Sequence, residues 1–180
     1  ALVAANRLPN PPTFFEATTA IAFELFRRSK VTVAVLEVGL GGRFDATNVV
    51  QPVACAITSI GLDHQQHLGD TIEQIAFEKA GIVKPGVPLV AGRLPDGAMS
   101  VIRKVADERG ARLVRADDLP ATWQVEGDRM VLEADTPHHH YGPITLALRG
   151  EHQAENALVV IRLLEEATHT GIHLGVDAIE

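Results

Sequence analysis

Val31-Thr32-Val33-Ala34-Val35-Leu36-Glu37-Val38-Gly39-Leu40-Gly41-Gly42-Arg43-Phe44-Asp45-Ala46-Thr47-Asn48 is the stretch on which the fold is decided. Its first part is apolar or β-branched apart from Glu37 and runs straight into glycines. A near-continuous run of that kind, bounded by turn residues, reads as a strand buried on both faces, the type found in parallel sheets. Val53 to Ile60 repeats the pattern, so both runs are expected to be central parallel strands. On the amino-terminal side, Thr13-Phe14-Phe15-Glu16 has the form of a capping box. It predicts a helix over 13–28, with Phe14, Ala17, Ile21, Ala22 and Leu25 on one face laid against the sheet. On the other side, Asp70-Thr71-Ile72-Glu73 opens a helix stopped by Gly81 and Pro85, and a strand follows at 87–91. Asp96 is placed to cap a further helix to Arg109, closed by Gly110, with a short strand at 112–115. Alternating helices and buried strands give an α/β class with a mostly parallel sheet and flanking helices, since parallel neighbours need crossover connections. From Thr122 to Arg149, short strands around Gly127-Asp128 and a His-rich loop add a short antiparallel extension. A last helix is expected from Glu151 to Ala167.

Composition narrows the function classes. The 180 residues are 46% hydrophobic and 22% charged, enough for one soluble domain, and the formal charge is −7. That balance argues against sequence-independent nucleic-acid binding, which needs clustered Lys and Arg. A lone Cys55 excludes an internal disulfide framework and suits a reducing, cytoplasmic setting. No apolar stretch reaches the roughly 20 residues a membrane span requires. The chain opens on Ala1 and closes on Val176-Asp177-Ala178-Ile179-Glu180, which reads as a helix just beginning, so a piece of something longer is expected.

Candidate chemistry gathers where the apolar runs end. Glu37 stands at the carboxyl end of the first, the edge at which open α/β sheets bind ligands, and a charge there needs a partner such as a cation. A salt-bridged or solvated strand-end carboxylate is the plainer alternative. Gly39-x-Gly41 begins a dinucleotide fingerprint, but Phe44 stands at its third glycine and no helix follows, which argues against NAD. The second run ends in Thr58-Ser59-Ile60-Gly61-Leu62-Asp63-His64, so His64 is expected to converge with Glu37 on a divalent cation, or else to be a hydrogen-bonded structural histidine, as His67 is. Lys79, in the last turn of its helix, is either a cation favoured by the helix dipole or, with a lowered pKa, a lysine that reacts with carbon dioxide to a carbamate ligand. His138, His139 and His140 read as a solvated hairpin loop rather than a metal site.

In order, Thr13-Phe14-Phe15-Glu16, Leu36 to Asn48, Gly61-Leu62-Asp63-His64, Glu78-Lys79-Ala80-Gly81-Ile82 with Lys84-Pro85-Gly86, and Gly150-Glu151-His152-Gln153 with Asn156-Ala157 resemble the folylpolyglutamate synthase/dihydrofolate synthase branch of the Mur ligase superfamily. The resemblance spans most of the chain and implies the central ATPase-type domain of an ATP-dependent acid-amino-acid ligase. It implies that Glu37 and His64 bind Mg²⁺, that Lys79 is a carbamylated lysine near the metals, and that Asn156 contacts the ATP adenine. It also implies that Thr13, Phe15, Asp45 and Ala46 line a pterin pocket. The substrates it implies are ATP, L-glutamate and dihydropteroate or a reduced folate, joined through an acyl phosphate, in an enzyme monomeric at full length. No Gly-x4-Gly-Lys-Ser/Thr phosphate loop occurs in the sequence. That loop is expected before Ala1 and a carboxy-terminal domain after Glu180, so the chain by itself is not expected to turn over. A noncatalytic nucleotide- or pterin-binding module and a metal-dependent hydrolase built on Glu37, Asp63 and His64 are the competing readings.

Overall fold

A computed structural model describes residues 10–172 and 174–179. Helix α1 (Phe14–Arg28) starts as a capping box: the Thr13 hydroxyl accepts the Glu16 N–H at 3.2 Å, and the Thr13 N–H donates to the Glu16 carboxylate at 2.7 Å. Its amphipathic face is present but only partly covered. No α1 residue is buried, and Ile21 and Leu25 are each more than half exposed.

The expected central strand at 31–38 is not one. The segment joins no ladder, and Val35 is 94% exposed. The parallel sheet instead has the order β1-β2-β3, formed by β1 (Cys55–Ile57), β2 (Leu89–Ala91) and β3 (Leu113–Arg115), with Ala56, Val90 and Val114 in register. Apolar composition makes a segment fit for burial without specifying the surface that buries it. Among the described residues the 31–38 backbone pairs with no strand, and α1 is covered only in part, by the Ala46–Val49 turn and the loop at Gly39.

Between β1 and β2 come a one-turn α2 (Gln65–Leu68) and α3 (Ile72–Lys79), continued by a 3-10 turn, Ala80–Ile82. Thr71 and Gln74 form the capping box of α3, through a Gln74 N–H to Thr71 Oγ1 bond of 3.3 Å and its 3.2 Å reciprocal. Helix α4 (Asp96–Glu108) crosses from β2 to β3. Pro95, not Asp96, occupies its cap position and makes no side-chain cap bond; Asp96 sits in the first turn, where its charge still favours the positive end of the helix. Strands β4 (Ala121–Glu126), β5 (Arg129–Asp135) and β6 (His140–Leu146) form the expected antiparallel sheet, followed by α5 (Glu151–Thr168).

The alternation of β2 shows how the layers are cemented. Leu89 and Ala91 face a core built with Ile75 and Ala76 of α3 and Ile102 and Ala106 of α4. Val90 faces the opposite core, with Leu132, Tyr141 and Leu158 of the antiparallel sheet and α5. Each fully buried Leu or Ile contributes about 1.5–3 kcal/mol. Cys55 is 8% exposed, and burial pushes its thiol up to about 11, which makes it an inert core residue. None of the described helices is long and apolar enough to cross a membrane.

A polar network locks α5 to both sheets. Arg162, 6% exposed, pairs with the buried Glu165 and lies 3.6 Å from Glu166. Glu165 also accepts from Thr136 Oγ1 at 2.6 Å and Tyr141 Oη at 3.2 Å, while Glu166 accepts from Arg112, beside β3, at 2.9 Å.

Candidate functional site

The glycine-rich loop after Glu37 is organised from within by Asp45. One carboxylate oxygen accepts the N–H groups of Gly39 at 2.9 Å and Leu40 at 3.1 Å; the other accepts the Thr47 N–H at 2.9 Å and the Thr47 hydroxyl. Burial raises the Asp45 pKa, but the bonds from Thr47, Leu40 and Gly39 outweigh it and leave the group below its ordinary value. With each oxygen accepting two donors, the carboxylate is saturated. Its part in the site is therefore to shape the loop. Ala46, next in sequence, opens the 3-10 turn Ala46–Val49, which packs against α1.

Phe15 reaches the same place from α1. A Cβ on Gly39 would stand 2.8 Å from the ring Cζ, so the ring lies directly on the loop backbone. Phe15, Asp45 and Ala46 are thus brought together, with Phe15 still 42% exposed and able to present ring surface. Thr13 is near in sequence, but its hydroxyl is already engaged in the helix cap.

The loop is keyed to the end of α3. Gly42 and Gly81 are both buried, and a Cβ on Gly42 would come within 2.9 Å of the Lys79 carbonyl. A Cβ on Gly81 would lie 2.2 Å from Arg43 Cα. The Arg43 N–H donates to the Glu78 carbonyl at 2.9 Å, and the side chain of Asn48 donates to the Gly81 carbonyl at 3.2 Å. Lys84 Nζ closes the joint on the Asn48 carbonyl at 2.8 Å. Lys79, half-buried in the last turn of α3, is thereby held against the loop that follows Glu37. Because a methyl at 81 has to displace backbone, Gly81→Ala is expected to cost about 1–3 kcal/mol, seen as a lower melting temperature of the full-length protein, whereas Gly61→Ala, with open space around its Cβ and no left-handed backbone, serves as a comparison.

Glu37 and His64 are not on adjacent paired strands, contrary to the sequence expectation, because Glu37 lies on the unladdered segment. No hydrogen bond or ion pair joins them among the described residues. Glu37 is exposed and makes no hydrogen bond or ion pair among the described residues. His64 adopts the left-handed conformation (φ 53°) at the start of α2, with its ring 3.7 Å from the Asp63 carboxylate. The described residues contain no group of three His, Cys, Asp or Glu side chains placed to hold a metal. The Glu37 carboxylate is the hard oxygen donor that suits Mg²⁺, which is bound through one or two carboxylates and completes its octahedron with waters and substrate phosphates, whereas the His64 nitrogen is a less usual ligand for it.

At the carboxyl edge of β1 and β2 the backbones converge: a Cβ on Gly92 would lie 2.4 Å from the Thr58 carbonyl. Arg93, just beyond β2, pairs with Glu155 at 3.0 Å and reaches Glu151 at 3.6 Å, which brings the start of α5 to this edge. Asn156 follows Glu155 there, exposed. The His-rich segment is a tight turn in which Thr136 Oγ1 accepts the N–H groups of His138 and His139, and His140 pairs with Asp135 at 2.7 Å.

Arg43, Glu78, Asn48 and Lys84 carry the joint, and no role for them was legible in the sequence. The glycines at 42 and 81 were the available signal, since small residues mark close backbone approach.

Residues 9–164 match the model of the Mur ligase middle domain. The chain is 39% identical over 166 residues to a mitochondrial folylpolyglutamate synthase of Cricetulus griseus, covering 89% of this chain and 26% of that protein. It is 42% identical over 159 residues to a dihydrofolate synthase/folylpolyglutamate synthase of Bacillus subtilis, covering 86% of this chain and 36% of that protein. A solved FPGS–AMPPCP–folate complex superposes with a TM-score of 0.90 at 34% identity over 94% of this chain and 42% of that one. The chain therefore spans between about a quarter and two fifths of these relatives. By the extent of the family match and by the α/β architecture shared with these structures, the chain belongs to the Mur ligase middle domain family.

Proposed function

We propose that the protein carrying this chain is an ATP-dependent ligase that joins L-glutamate to dihydropteroate, to a reduced folate, or to both, and that it works in the cytoplasm. The reading rests on the match of nearly the whole chain to a structure holding AMPPCP and folate, together with the keyed joint that sets the Glu37 loop against Lys79. A folate carboxylate is a poor electrophile. Phosphorylation by ATP converts it to an acyl phosphate, the glutamate amine attacks the acyl carbon, and phosphate leaves from the tetrahedral adduct. No protein nucleophile is required, so the work of the site is positioning and charge stabilisation.

The residues divide that work. Glu37 and His64 would hold Mg²⁺, which offsets phosphate repulsion and the charge developing on the transferred group. Lys79 would serve as a carbamate, a cation turned into an oxygen ligand. Asn156 has the amide chemistry to recognise an adenine edge, and Phe15 offers a flat face to a pterin ring. Asp45 maintains the loop beneath that ring. The test is the coupling of phosphate release: with the full-length protein, release requires ATP, the pterin substrate and glutamate together, and a product one glutamate longer appears in equal amount. Phosphate released from ATP with no need for glutamate would favour a hydrolase, and nucleotide binding with no release at all a noncatalytic module.

A further inference from the structure

We infer that Arg43 is a positioning residue of the ligase site, acting through Glu78 to hold Lys79 in register with the Glu37 loop; the inference rests on the reading of Lys79 given above. The guanidinium donates in a fork to Glu78, Nη2 to one carboxylate oxygen at 2.7 Å and Nε to the other at 3.1 Å. Two aromatic rings flank it, with the Arg43 Cζ 4.2 Å from the Phe44 centroid and 5.2 Å from that of Phe77. The partners are drawn from both sides of the joint: Arg43 and Phe44 belong to the loop, Phe77 and Glu78 to α3. Lys79 is the next residue along, and its carbonyl faces Gly42. The ion pair therefore spans the seam between the two segments expected to carry the metal-binding groups.

Exposure does not reduce the pair to a decorative surface contact. Single exposed ion pairs are weak, but this one is bidentate, bracketed by rings on both segments, and parallel to a main-chain bond from Arg43 to Glu78. A planar fork is needed to satisfy both carboxylate oxygens at once, which lysine lacks. Loss of the fork leaves the core contacts of α3 through Ile75 and Ala76 in place and frees its last turn to shift against the loop. A small displacement of a group near the reacting phosphate is costly in rate and cheap in stability.

The experiment uses the full-length enzyme and four variants, Arg43→Ala, Glu78→Gln, the exchange Arg43→Glu with Glu78→Arg, and Lys79→Ala. Arg43→Ala and Glu78→Gln are each expected to lower kcat roughly ten- to a hundredfold with KM for ATP changed by less than about threefold. The exchanged pair is expected to recover at least part of the lost kcat, a rescue that loss of general stability would not show. In the metal-free protein, amide hydrogen exchange at Arg43 is expected to quicken in Glu78→Gln while that of Leu89 in the sheet stays unchanged. Arg43→Ala and Glu78→Gln with parental kcat, or an exchanged pair that is folded yet no better than either single variant, would overturn the positioning role. Lys79→Ala separates the two ideas. If it abolishes turnover while Arg43→Ala does not reduce it, only the positioning role fails; if it keeps parental kcat, Lys79 lies outside the site and the positioning role falls with it.

Discussion

Arg162→Met lowers the stability of the α5 region by about 3–5 kcal/mol, because the substitution keeps the aliphatic stem but leaves Glu165 buried with no cation among the described residues and Glu166 with Arg112 alone. Glu165 is 4% exposed and Glu166 0%, so water has little access to replace the lost charge. Both are tied to other elements, Glu165 to Thr136 and Tyr141, Glu166 to Arg112. The loss therefore propagates from the helix to the hairpin β5–β6 and to the start of β3. Thermal unfolding of the full-length protein, with hydrogen exchange to locate the change on α5, is the measurement. A loss below about 1 kcal/mol would mean that the two glutamates are not dependent on Arg162. Replacing Glu165 and Glu166 together with Arg162 by apolar residues of similar size is expected to recover much of the loss, since removing a whole buried ionic group is far less costly than removing one member.

Glu37→Gln is the second large effect, and it falls on activity. The substitution preserves size and removes the one charge of the 31–38 segment, which is exposed and has no ion pair or hydrogen bond among the described residues. In the full-length enzyme kcat is expected to fall by about a hundred- to a thousandfold, the scale seen when a group stabilising transition-state charge is removed. The Mg²⁺ concentration for half-maximal activity is expected to rise by roughly ten- to a hundredfold. Thermal stability stays near that of the parent, because Glu37 has no ion pair to lose among the described residues. Unchanged kcat and unchanged metal dependence would remove Glu37 from the site.

Local signals in the sequence carried much of the fold. Thr13 with Glu16 marks a helix start through reciprocal bonds within four residues, so its geometry is encoded where it is read, and Asp70-Thr71-Ile72-Glu73 points to the next one, where the reciprocal pair proves to be Thr71 with Gln74, one residue on. Gly127, with φ 62°, marks the β4–β5 turn for the same reason. What failed was whatever depended on distant surfaces. Val31 to Val38 has the composition of a central strand, yet pairing belongs to two segments and only one of them is in the run. Arg162, Glu165 and Glu166 have the spacing of ordinary solvated helix pairs, and their burial comes from the hairpin packed over them.

The site divides in the same way. Glu37, His64 and Lys79 stand out in the sequence as chemistry at the ends of predicted elements, Asn156 only through the family resemblance, and Phe15 and Asp45 do come together at Gly39, with Ala46 next in sequence. Asp45 has a structural task that its sequence position does not announce, since its oxygens accept four donors inside its own loop. The Arg43–Glu78 clamp, 35 residues apart in sequence, has no periodicity to betray it. Close-approach glycines were its only trace.

The central claim is that the site activates a carboxylate as an acyl phosphate before amide formation, and transfer of a heavy-oxygen label tests it most directly. The full-length enzyme is given ATP, glutamate and a pterin substrate whose reacting carboxylate carries heavy oxygen, and the released phosphate is analysed by mass spectrometry. The account predicts one labelled oxygen in each inorganic phosphate formed alongside the glutamylated product. Unlabelled phosphate, with both heavy oxygens left on the pterin substrate, would contradict it.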